Sequence, residues 1–170
     1  MWHLPGYLPQ GCNLHIPLQA GLPACHDNGC LGGVILNDYE PLIIAYTCYW
    51  CSYTAADLAG TSRIQYPPNV RIIRVQCSGM VHPNLVIDAL TNGADGVLMC
   101  GCHPGDCHYR EGNLRAKARA DALEMMLEDF DLEPERYRLS WVAASEGPQF
   151  AQVVKDMVED LRELGPSIYK

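Results

Sequence analysis

Nine cysteines and six histidines occur in this chain of 170 residues, and the spacing of the cysteines is its chemically informative feature. Cys48 and Cys51 form a C-x2-C pair and Cys77 stands alone. Cys102 and Cys107 form a C-x4-C pair inside the stretch Gly101-Cys-His-Pro-Gly-Asp-Cys-His108. A lone C-x2-C has three readings: a redox dithiol, half of a zinc site, or part of an iron–sulfur site. A zinc ribbon would call for a second C-x2-C, and the sequence has none. In the C-x4-C loop, Gly105 lets the backbone turn tightly enough for both thiols to face one centre. Four thiolates suit zinc or an iron–sulfur cluster. Contributions from several separate segments, in an acidic chain with no G-x-G-x-x-G and no P-loop, tilt the balance toward a cluster.

The elements that must carry these thiols follow from the apolar pattern. Leu42 to Thr47 is a nearly continuous apolar run, as expected of a strand covered on both faces. Tyr53 to Ala59 suits a short helix stopped by Gly60. Val70 to Val75 reads as a second strand, and Pro83 to Leu90, ended by Gly93, as a second helix with proline near its start. Asp95 to Met99 leads a third strand. Asn113 to Asp129 reads as a longer helix with Leu114, Leu123, Met126, Leu127 and Phe130 toward one side. Arg138 to Ala143 is a fourth strand. Pro148 to Leu164 is amphipathic, with Phe150, Val153, Val154, Met157, Val158, Leu161 and Leu164 on one face and Ser145 as the expected N-cap. Four alternations of strand and helix predict an α/β fold, a Rossmann-like parallel sheet of about four strands joined by right-handed crossovers. All strands of such a sheet end at one edge, where these folds bind ligands. Cys48 and Cys51 follow strand one, Cys77 follows strand two, and Cys102 and Cys107 follow strand three. Five thiols are therefore expected at one rim.

Residues 1–40 differ from this pattern. They hold Pro5, Pro9, Pro17, Pro23, six glycines and three charged residues, with no lasting periodicity. The expected organisation is an irregular extension over 1–40, a plausible clasp for a partner, and an α/β domain over 41–170. The first basic residue is Arg63, so the N-terminus lacks the basic region of a secretory signal and the arginines of a transit peptide. A cytoplasmic, reducing setting is the expectation, in which thiols stay free to act as ligands. No apolar run reaches the ~20 residues of a membrane span. Twelve basic against 20 acidic residues give a net charge of −8, so nucleic acid is not an expected partner.

The other candidate groups have simpler readings. Cys100, at the end of an apolar strand, reads as a small buried hydrophobe. Cys12, Cys25 and Cys30 match no standard zinc or ferredoxin spacing. His103 and His108 flank the thiols and are expected to donate hydrogen bonds or face a partner rather than to ligate. His82 and Tyr66-Pro67-Pro68 read as turn residues. Trp141 reads as core, and Trp50 as a shield over the site or an interface anchor. Arg110, Arg115, Lys117 and Arg119 lie at or near the start of the third helix, opposite to the preference of the helix dipole; a solvated surface helix accounts for this as well as a role for Arg110, Arg115 and Lys117 in charge tuning or docking does.

The stretches IIAYTCYWCSYTAADLAG, RIQYPPNVRIIRVQCSG, ADGVLMCGCHPGDCHYREGN and WVAASEG resemble the delta (iron–sulfur) subunit of methyl-viologen-reducing hydrogenase. The resemblance runs from Pro41 to Pro166, about three quarters of the chain. It implies one 2Fe-2S cluster that relays electrons between a hydrogenase or formate dehydrogenase module and the flavin-containing subunit of heterodisulfide reductase, as in methanogens and other anaerobes. It carries the family's cysteines onto Cys48, Cys51, Cys77, Cys102 and Cys107. A 2Fe-2S cluster takes four ligands, so one of these is spare. The leader over 1–40 and Cys100 lie outside the family pattern. The rival readings are a structural zinc-binding assembly module and a thiol–disulfide oxidoreductase using Cys48 and Cys51.

Overall fold

The structure is a computed structural model that describes residues 39–129 and 133–168. The expected extension over 1–40 thus lies almost wholly outside the described residues. Four parallel strands form one sheet: β1 Ile43–Cys48, β2 Val70–Val75, β3 Gly96–Gly101 and β4 Tyr137–Trp141, in the order β2-β1-β3-β4. Composition explains that order. The apolar β3 is buried along its whole length and β1 nearly so, as central strands covered on both faces should be. β2 carries exposed Arg71 and Arg74 and lies at an edge, where charge discourages further pairing. In register, Cys48 stands beside Val75, Thr47 beside Cys100, and Gly101 beside Trp141. The chain leaves β1 in one direction to form β2 and crosses back in the other to form β3. The gap between the ends of β1 and β3 is therefore the topological switch point.

Helices cover both faces. On one face, α1 (Ser52–Thr61) and α4 (Gly147–Leu164) pack on Ile43, Ala45, Leu98 and Cys100. Ala55 and Ala56 let α1 seat closely, and Phe150, Val154, Met157, Val158 and Leu161 fill the layer from α4. On the other face, α2 (Pro83–Thr91) and α3 (Gly112–Asp129) pack on Tyr46, Val97 and Met99 through Val86, Leu90, Ala116, Ala120, Leu123 and Leu127. Each large apolar side chain removed from water contributes ~1.5–3 kcal/mol. These two layers hold the strand ends, and with them the thiols, in fixed relation. Among the described residues, no helix is long and apolar enough to cross a membrane.

Several local expectations are corrected. α1 does not stop at Gly60 but runs to Thr61 and closes with Arg63 in the left-handed region at φ 56°. The amides of Arg63 and Ile64 return to the carbonyls of Gly60 and Ala59, the paired bonds of a Schellman closure. Gly93, at φ 95°, closes α2 in the same way, as expected. α4 is preceded by Glu146 rather than capped by Ser145. The Glu146 carboxylate turns back to accept the Ala143 amide at 2.7 Å, satisfying the loop before the helix. In α3, Leu114 and Met126 face outward at 56% and 43% exposure, because the seat against the sheet is made by alanines and by Leu123 and Leu127. Phe130 lies outside the described residues. Trp141 is half-buried on the edge strand β4 and is not core. His82 is more than a turn residue: its Nδ1 accepts the Asn84 amide and caps α2.

Candidate metal centre

β1 ends at Cys48, and the Tyr49 amide then bonds to the Val75 carbonyl, which turns the chain over the end of β2. Cys51 occupies the N-cap position of α1. Cys102 directly follows β3. Because β1 and β3 are neighbours, these residues meet at the switch point. The Cys48 and Cys102 sulfurs are 3.8 Å apart, and Cys51 joins them so that all three lie within 4.8 Å of one another, buried. Ser52 fastens this arrangement. Its hydroxyl accepts the Cys48 amide and donates to the Cys100 carbonyl, both at 2.8 Å, tying the end of β1 to the end of β3.

The two remaining predicted thiols form an adjoining pair. Cys77, just past β2, has its sulfur 4.0 Å from that of Cys107. Both press on the first residue of α3. A Cβ at Gly112 would lie 2.2 Å from the Cys77 sulfur and 3.0 Å from the Cys107 sulfur. Gly79 packs against the same point, where a Cβ would lie 2.6 Å from the Gly112 carbonyl oxygen. Arg119 of α3 donates to the carbonyls of Gly79 and Val81 and so holds the turn after Cys77. The C-x4-C loop turns at Gly105, φ 95°, as its sequence predicted. Asn113, 1% exposed, donates to the carbonyls of His103 at 2.6 Å and Cys102 at 3.3 Å and pins that loop to α3.

One of these sulfurs, Cys48, is set up to carry charge, while Cys51, Cys77 and Cys102 are held as thiols. Hydrogen bonds from the Cys102 and Cys51 thiols, with support from the amides of Trp50 and Ser78, push Cys48 down to about 2 in spite of its burial. Donation to Cys48 and Cys51, together with burial, pushes Cys102 strongly up. Cys51 accepts from Cys102, yet its own donation to Cys48, its burial and the Cys48 charge raise it to about 12. Burial raises Cys77 most, opposed by the Gly79 amide and reinforced by the charges of Cys107 and Cys48. The influence of Cys48 on Cys77 joins the trio and the pair electrostatically. Metal ligation releases the protons that remain on such thiols. Amides aimed at sulfur (Trp50 and Ser78 at Cys48, Gly79 at Cys77) are the donors that stabilise ligated thiolates.

All five predicted thiols reach one edge of the sheet, as a trio and a pair. Cys100 does not join them; it is fully buried in the layer under α1 and α4, as its hydrophobic reading required. His103 pairs with Glu146 at 2.8 Å, and His108 stacks on Trp50 with centroids 3.8 Å apart. Trp50 is 43% exposed and shares its surface with Tyr49 and Tyr109. Part of the basic bias of α3 is absorbed locally, since Lys117 pairs with Asp121 and Arg115 with Glu111. Exposed pairs of this kind contribute ~0–1 kcal/mol each. The sequence reading missed Ser52, Asn113, Gly112 and Gly79. Serine directly after the C-x2-C, and Gly-Asn at the start of α3, were the available signals.

Comparison with known proteins places the chain in a family. Residues 43–165 match the family model described as methyl-viologen-reducing hydrogenase, delta subunit. The chain is 50% identical over 129 residues to an iron-sulfur subunit of the F420-non-reducing hydrogenase of Archaeoglobus profundus, covering 76% of this chain and 94% of that protein. It is 44% identical over 133 residues to the vhc iron-sulfur subunit of an F420-non-reducing hydrogenase of Methanococcus voltae, covering 78% and 92%. It is also 46% identical over 126 residues to a subunit of the ferredoxin:CoB-CoM heterodisulfide reductase of Methanosarcina mazei, covering 74% of this chain but 16% of that much longer protein. Buried thiols at the switch point, a family match across the whole sheet and half-identical relatives converge: the chain belongs to the methyl-viologen-reducing hydrogenase delta subunit family.

Proposed function

We propose that this protein is an electron-transfer subunit that holds one 2Fe-2S cluster through four of Cys48, Cys51, Cys77, Cys102 and Cys107. The observation that carries the reading is the set of three buried sulfurs within 4.8 Å of one another, drawn from the end of β1, the start of α1 and the residue after β3. Either Cys77 or Cys107 supplies the fourth ligand, and the other is spare. The donor set fits: among the described residues only thiols converge, these five cysteines are free, and Gly112 leaves the space against Cys77 and Cys107 clear of any side chain. A 2Fe-2S cluster bound there supplies a one-electron couple. The chain's own groups hold the thiolates, point amides at them, and limit the access of water through burial. The partners are a hydrogenase or formate dehydrogenase module on one side and the flavin-containing subunit of heterodisulfide reductase on the other. The relatives named as hydrogenase subunits, and the relative that carries a matching stretch within a long heterodisulfide reductase chain, support a hydrogenase and a heterodisulfide reductase as partners. The working compartment is the cytoplasm. Arg110 and Arg115, beside the C-x4-C loop, serve docking or charge tuning.

Purification without oxygen tests this reading. The expected result is iron and acid-labile sulfide in equal amounts, with a visible spectrum bleached by reduction and a rhombic electron paramagnetic resonance signal. Zinc alone would make the protein an assembly module. Absence of metal, with a reversible Cys48–Cys51 disulfide, would make it a thiol–disulfide oxidoreductase.

A further inference from the structure

Ser78 follows Cys77 in a single 3-10 turn, Ser78–Met80. It is 1% exposed, and its hydroxyl has no hydrogen-bond partner among the described residues. A buried hydroxyl left unpaired is destabilising, and such groups mark a partner supplied from elsewhere. Its surroundings say where that partner lies. The Ser78 amide donates to the Cys48 sulfur, and Cys77 is its neighbour in sequence. A Cβ at Gly101 would lie 2.7 Å from the Ser78 Oγ, so the hydroxyl rests over the bare backbone just before Cys102. The side chain therefore lies beside the segments that carry thiols at the ends of β1, β2 and β3. Ser52 shows the contrast: that hydroxyl is equally buried but has both its donor and its acceptor bonds made.

We propose that the Ser78 hydroxyl donates a hydrogen bond to a sulfur of the bound iron–sulfur centre and raises its reduction potential. This rests on the cluster reading above. A hydrogen bond to sulfur favours the more negative, reduced form, so its loss disfavours reduction. The same donor would be of little use to a dithiol, in which the sulfurs supply their own protons.

The test is a redox titration of the full chain carrying its cluster, followed by electron paramagnetic resonance, for the wild type, Ser78→Ala and Ser78→Thr. The expected result is full iron and sulfide in Ser78→Ala, with the reduced form about tenfold less populated at a fixed applied potential. For one electron, that is a midpoint ~59 mV more negative. Pulsed spectra in deuterated water should lose one exchangeable coupling in Ser78→Ala and keep it in Ser78→Thr. A fully loaded Ser78→Ala with the wild-type midpoint and couplings overturns the proposal. Should Ser78→Ala come out without iron, Ser78→Thr and Ser78→Val decide. Loading at the wild-type midpoint in the threonine variant alone supports the hydroxyl, and equal behaviour of the two overturns it. A wild type without iron and sulfide defeats the cluster reading itself, whereas a loaded wild type with an indifferent Ser78→Ala defeats this inference alone.

Discussion

Cys100 and Cys102 are two residues apart, yet the structure gives them different surroundings. Cys100 lies within β3, paired beside Thr47, with α1 and α4 packed over it. Cys102 lies one residue past the strand, beyond the cover of those helices, where its sulfur meets Cys48. Burial without partners pushes the Cys100 thiol up to about 12, so it stays protonated and inert. Cys102→Ser should therefore lose the iron, whereas Cys100→Ser should keep it. The cost of Cys100→Ser falls on stability instead, ~1–3 kcal/mol for a hydroxyl placed in an apolar layer. Iron analysis and denaturant unfolding of the two variants separate these outcomes. Loss of iron in Cys100→Ser would put that thiol in the ligand set.

At the scale of elements, the site depends on two backbones in contact. The turn after β2 and the first residue of α3 touch at Gly79 and Gly112, and Cys77 and Cys107 lie against that contact. A methyl group at Gly112 meets the Cys77 sulfur at 2.2 Å, far inside contact distance, and Cys77 sits in a packed setting that gives little room to move. Gly112→Ala should displace Cys77 and strip or distort the centre, while the sheet and its two helical layers stay folded. Overpacking of this kind costs ~1–3 kcal/mol. The readouts are iron content and far-ultraviolet circular dichroism on the same sample; full iron with an unchanged spectrum would mean that Cys77 is free to withdraw. These glycines were in plain view in the sequence. Their role was not legible there, because a close approach involves two segments about 33 positions apart.

For the whole molecule, the cysteine rim is also where large side chains are exposed. Tyr49, Trp50, Met80, Tyr109 and Leu114 all surface on segments next to the thiols, and Arg74 stacks on Tyr49 and Tyr53. Aromatic, methionine and arginine side chains are those enriched at protein interfaces. A relay would bring its partner to this rim, because the thiols lie at the strand ends there. Trp50→Ala should weaken binding of the proposed heterodisulfide reductase partner by ~2 kcal/mol or more, as for a central aromatic anchor. That is about thirtyfold in Kd. Iron content should not change, since Trp50 lends the site its backbone amide rather than its ring. Calorimetric titration measures the affinity, and wild-type affinity in the variant would place the partner on another face.

The sequence by itself determined the alternation of strands and helices, the burial of the central strands, and the arrival of Cys48, Cys51, Cys77, Cys102 and Cys107 at one edge. Those properties are local: period and apolar content define each element, and parallel strands all end on the same side. Only the tertiary structure decided that Cys48, Cys51 and Cys102 form the trio while Cys77 faces Cys107. It also decided that Cys100 is core, that Ser52 and Asn113 pin the strand ends, and that the Ser78 hydroxyl is buried against Gly101 with no partner among the described residues. The reason is lateral order. Which strand ends are neighbours depends on the sequence β2-β1-β3-β4 across the sheet and on how two layers of helices pack, and no window of residues along the chain encodes that placement.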